Sequence, residues 1–133
     1  MSQHLAHIAL VVKNYDEAIA YYTQKLQFKV IEDTLMSPTK RWVLLAPKGS
    51  DKATFLLAQA ANEEQESRIG NQTGGRVFLF LHTDDFENDY QYMKNQGVEF
   101  IRERVVETWG TVAVFKDLYG NLWDFIQPSK SVK

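Results

Sequence analysis

A histidine, His7, stands at the mouth of the apolar run IALVV. An imidazole drawn into an interior needs a hydrogen-bond partner or a metal, because an unpaired polar group there costs free energy. Two readings follow: a core or rim histidine with a backbone partner, or one ligand of a metal site. Other reactive chemistry is sparse. The 133 residues include no cysteine, which excludes disulfides, zinc–thiolate sites, iron–sulfur clusters and thiol nucleophiles. No Ser-His-Asp order appears, and Thr73-Gly74-Gly75 lacks the lysine and following helix of a phosphate-cradling loop.

The elements around His7 can be read from pattern. His7 to Val12 is a buried strand, rich in Val, Ile and Leu. Asn14 offers an N-cap with Glu17 three residues on, and Ala18, Ile19, Tyr22 and Leu26 give helix 15–26 an inward face. Phe28–Ile31, Arg41–Leu45 and Ala53–Ala58 follow as strands, the last after the turn Lys48-Gly49-Ser50-Asp51. The polar stretch 60–74 reads as a linker, and its charge run Glu63 to Arg68 as a solvated loop. Then the plan recurs. Arg76–His82 is a strand, and Asp84 or Asp85 caps a helix carrying Phe86, Tyr90 and Met93. Gly97 ends that helix, and Val98–Arg102, Thr111–Lys116 and Asn121–Gln127 are strands.

The recurrence is an internal repeat. An offset of 71 places Ile8–Glu17 on Leu79–Asn88, with Tyr15 on Phe86 and Tyr21 on Tyr92. An offset of 68 places TFLLAQ (Thr54–Gln59) on LWDFIQ (Leu122–Gln127). Each half is one strand-helix-strand-strand-strand unit. Half-domains of about 60 residues bury too little surface to fold well alone, so the two are expected to join as a single domain, 1–133. Module one covers about 5–59, the linker about 60–74 and module two about 75–128.

This pattern resembles the vicinal oxygen chelate superfamily, which includes glyoxalase I, bleomycin-resistance proteins and extradiol dioxygenases. The likeness is carried by HIALVV, DEAIAYYTQKLQF, GVEF and ETWGTVAVFKDLYGNLWDFIQ. It implies an α+β fold of two pseudo-symmetric βαβββ modules forming a curved mixed sheet around a cavity. In metal-using relatives, four side chains on the first and last strands of the two units converge on a divalent ion. Carried over, those positions are His7 and Leu56 in module one, and Phe78 and Asp124 in module two. The repeat pairs the same four places, His7 with Phe78 and Leu56 with Asp124.

Imidazole and carboxylate are good ligands for zinc, iron, nickel or manganese, whereas leucine and phenylalanine offer no lone pair. Catalytic sites usually hold their ion with three protein groups, and two remain here. His82 is four residues beyond Phe78, roughly 13 Å along a strand, and would serve only in another register. The expectation is therefore a metal-free binder of a small hydrophobic or aromatic molecule, without cofactor. Its ligand-binding residues would be His7, Leu56, Phe78, Phe80, Trp109 and Asp124, with Trp42 a further candidate.

Several of these residues carry a second reading. Phe80 is either pocket wall or plain core, Trp42 and Trp109 either pocket or packing. His7 and Asp124 either orient a ligand, satisfy each other, or contact a divalent ion. Two other functions stay open: a glyoxalase-type lyase or isomerase or extradiol-type dioxygenase with a third ligand, and a dimerising domain without chemistry. The resemblance also implies a homodimer. A formal net charge of -2, with Lys and Arg scattered, gives no basis for nucleic-acid binding. The run Ile8–Val12 is too short to cross a bilayer and no basic leader precedes it, so no membrane partner and a cytoplasmic location are expected.

Overall fold

A computed structural model of the chain describes residues 1–130. Its elements run β1 (His7–Val12), α1 (Tyr15–Lys25), β2 (Lys29–Ser37), β3 (Lys40–Ala46), β4 (Thr54–Gln59) and α2 (Glu63–Glu66). They continue with β5 (Val77–His82), α3 (Phe86–Asn95), β6 (Glu99–Glu107), β7 (Gly110–Lys116) and β8 (Leu122–Pro128). Two compact units divide the chain, Met1–Ile69 and Gly70 onward. Each holds one four-stranded mixed sheet, ordered β1-β4-β3-β2 in the first and β5-β8-β7-β6 in the second. The repeated α+β plan is thus present, one βαβββ module per unit.

In the first unit β1 runs parallel to β4, and β4-β3-β2 is antiparallel. Side chains alternate across a sheet, so the register sorts them into two faces. Leu10, Val12, Val43, Leu45, Phe55 and Leu57 are buried on the side that α1 covers. The Asn14 side chain caps α1 by accepting from the Glu17 amide at 3.0 Å. Tyr22 packs on Phe28, which stacks on Phe55 at 5.8 Å. Arg41, at the start of β3, ties the strand to the helix. Its guanidinium donates to both Asp33 oxygens and to Asp16, and lies 5.2 Å from the Tyr15 ring.

The second unit repeats this with different side chains. Phe86 of α3 stacks on Phe125 at 4.9 Å, and Phe115 stacks on Trp123 at 5.6 Å. Asp85 sits at the N-cap without a side-chain cap bond; the Gln127 side chain instead accepts from the Phe86 amide at 2.8 Å. Tyr90 donates to Glu103, beside the Lys94–Glu103 and Arg104–Glu87 ion pairs. The buried Asp117 carboxylate shapes the β7–β8 turn, accepting from the amides of Tyr119, Gly120 and Asn121.

The segment 60–74 is more ordered than a bare linker. Asn62 and Gln65 form a reciprocal cap: Asn62 accepts from the Gln65 amide at 2.9 Å and Gln65 from the Ala61 amide at 2.7 Å. That pair turns Glu63–Glu66 into α2, correcting the expected loop, although its residues are exposed. Gly70 fits against the Tyr119 carbonyl so closely that a Cβ there would lie 1.9 Å from the oxygen. No helix among the described residues is long and apolar enough to cross a membrane.

Candidate functional site

Each sheet has a second face, opposite its helix, and His7, Leu56, Phe80 and Asp124 lie there. In module one the register places His7, Ala9, Thr54, Leu56 and Leu44 on that side. His7 is exposed at the start of β1, and Leu56 is half-buried between Ala9 and Leu44. The His7 Nδ1 lies 2.6 Å from Thr54 Oγ1, which also lies 3.3 Å from the Ala6 carbonyl. Which of the two donates follows the imidazole tautomer, since Thr54 Oγ1 can donate to Nδ1 or accept from it. The Trp42 indole meets the His7 ring edge-on at 5.8 Å. His7 thus has a side-chain partner in its own module, which the sequence reading had not named.

In module two the same face carries a complete row. Phe80 on β5 pairs with Asp124 on β8, Asp124 with Val114 on β7, and Val114 with Arg102 on β6. Phe80 is 62% exposed, so it is not core. Phe78 falls in a register shift between Val77 and Leu79 and has no partner in the register of β8, so Phe80 stands opposite Asp124. Burial pushes the Asp124 carboxyl above its ordinary value, opposed by the charge of Arg102. Trp109 is 41% exposed just ahead of Gly110, its carbonyl accepting from the Ser129 amide at 2.9 Å.

Thr54 and Arg102 were missed in the sequence. Thr54 was hidden because a threonine in a strand is ordinary. Arg102 ends the strand expected from the pattern Val98–Arg102, and β6 runs on to Glu107.

The donor set does not fit a divalent ion held by three protein groups. Leu56 and Phe78 have no lone pair, and among the described residues no group of three or more His, Asp or Glu side chains could hold a metal. What the two faces offer is apolar surface with a few oriented polar groups.

A family model described as glyoxalase/bleomycin resistance protein/dioxygenase superfamily matches residues 4–125. The chain belongs to that superfamily. An uncharacterised protein of Shewanella frigidimarina is 56% identical over 128 residues, covering 96% of this chain and 95% of its own. The crystal structure of UcmS2 is similar at 29% identity and a TM-score of 0.82, covering 95% of this chain and 98% of that one. TnmS3, described as an antibiotic binding protein from Streptomyces sp. CB03234, is similar at 26% identity and a TM-score of 0.78. It covers 96% of this chain and 98% of its own.

Proposed function

We propose that this superfamily member binds a small hydrophobic or aromatic molecule without a metal. The observation that carries the reading is Phe80, a large aromatic side chain left 62% exposed on a sheet face, in register with a half-buried carboxylate. Exposed aromatic surface beside a few fixed polar groups is the usual make-up of a site for an organic ligand. His7 and Leu56 supply the same mixture on the first sheet, where Trp42 adds an indole. Phe78 and Trp109 are assigned supporting wall contacts. The likeness to TnmS3 at 26% identity favours an antibiotic-like ligand. We assign the chain to a homodimer, since the edge strand β2 leaves Val30, Ile31, Leu35 and Met36 exposed.

The test is indole fluorescence during titration with a panel of polycyclic aromatic antibiotics and fragments, on the parent and on Trp109→Phe. Saturable quenching by at least one compound, reduced in Trp109→Phe, is expected. No quenching across a broad panel would overturn the assignment.

A further inference from the structure

Both modules carry a β-bulge at the same place. In β2 the register steps from Val30↔Leu45 to Glu32↔Leu44, and in β6 from Phe100↔Phe115 to Arg102↔Val114. Ile31 and Ile101 are the extra residues. A bulge re-aims the side chains that follow it. Phe100 points to the helix side with Phe115, and simple alternation would send Arg102 there too. The extra residue instead turns Arg102 to the opposite face, in the row with Val114, Asp124 and Phe80. Module one fills the corresponding row with Glu32, Leu44, Leu56 and Ala9.

Among the described residues neither the Arg102 nor the Asp124 side chain has a hydrogen-bond or ion-pair partner, and each is the other's charged neighbour. The next charges along this face, Lys116 and Glu99, are paired with each other at 3.7 Å. Two opposite charges two strands apart, roughly 10 Å between backbones, leave room for a bridging group between them. A group that accepts from the guanidinium and donates to the carboxylate gains two charge-assisted bonds.

We propose that Arg102 and Asp124 form a donor–acceptor subsite selecting aromatic ligands with adjacent acceptor and donor groups, such as a carboxamide, with the ring against Phe80. This rests on the binding function proposed above and names the chemistry of its ligand. The two charges balance, so the subsite favours a neutral polar group over a net anion.

Isothermal titration with 2-naphthamide, methyl 2-naphthoate and 2-naphthoate tests it on the parent, Arg102→Gln, Asp124→Leu and Asp124→Asn. The ester lacks the N–H donor, so the parent is expected to bind the amide roughly tenfold more tightly than the ester, and more tightly than the carboxylate. Asp124→Leu, which copies the residue of module one, brings the amide-to-ester ratio near one. Arg102→Gln weakens amide and ester alike, by about fivefold. The isosteric Asp124→Asn gives a smaller loss of the ratio and serves if the leucine variant does not fold. Equal binding of amide and ester by the parent, or a preference that survives in both Asp124 variants, overturns the subsite and leaves the binding function standing. Failure of all three probes to bind a parent whose indole fluorescence a panel compound quenches overturns the subsite alone, and failure of the panel as well overturns both.

Discussion

Replacing Phe80 by alanine separates a ligand-facing aromatic from a structural one, with Phe125→Ala as the internal standard. Phe125 is 1% exposed, stacked on Phe86. Emptying such a position costs about 3–5 kcal/mol. Phe80 is 62% exposed, so roughly two-fifths of its surface is covered. Full burial of a phenylalanine contributes about 1.5–3 kcal/mol, and the covered fraction brings the cost of Phe80→Ala to about 1 kcal/mol or less. For a chain of this length that is a fall in Tm of roughly 3–5 °C, against about 10 °C or more for Phe125→Ala. Affinity reverses the order of effects. Phe80→Ala should weaken 2-naphthamide binding by roughly five- to tenfold, the share of one aromatic contact. Differential scanning calorimetry and isothermal titration on the two variants read both quantities. A Phe80→Ala protein destabilised as much as Phe125→Ala, or binding as the parent does, would refute a role for Phe80 outside the core.

Asp33 is held below its ordinary value chiefly by the hydrogen bond from Arg41, so its contribution exists above that value and is lost as pH falls through the lowered one. Asp33→Asn should therefore cost about 0.5–1 kcal/mol in urea denaturation at pH 7, the ordinary worth of an exposed pair, and the cost should shrink as pH falls below the ordinary aspartate value and vanish below the lowered one. Asp124 has the opposite sign, because burial raises its folded value and ionisation opposes folding. Its penalty is absent below the unfolded value and complete once pH has risen past the folded one, so Asp124→Asn should raise Tm at pH 7 and leave it unchanged at pH 3. Gly70→Ala should lower Tm by far more than Gly49→Ala. Both glycines have positive φ, but only at Gly70 would the added Cβ meet backbone, 1.9 Å from the Tyr119 oxygen. Metal analysis of protein purified without a histidine tag should find less than one equivalent, in the parent and in His7→Ala alike; a full equivalent lost in the variant would restore the metalloenzyme reading.

The buried half of each module was readable from the chain because its signals are local. β1, β4, β5 and β8 are short apolar runs, and α1 announces itself through Asn14 and the spacing of Ala18 and Tyr22. The edge strands were not. β2 and β6 were expected to end at Ile31 and Arg102 but run to Ser37 and Glu107. Edge strands tolerate charge, and IEDTLMS and RERVVE hide their extended backbone behind polar side chains. The bulges lie in those same strands, and an extra residue leaves no mark in composition. Phe80 shares the face of Asp124, while the irregularity at Phe78 is invisible to parity along β5. The cap of α2 was legible as Asn62 followed by Gln65, and was overlooked because the surrounding glutamates suggested solvent.

Backbone amide shift mapping by nuclear magnetic resonance during titration with 2-naphthamide tests most directly whether the face of the second sheet opposite α3 holds the ligand. The expected result is saturable shifts concentrated at Phe80, Val114 and Asp124. Shifts confined to the helix-bearing sides, at Asp16, Glu87 or Lys94, would contradict it, as would a spectrum unchanged at saturating compound.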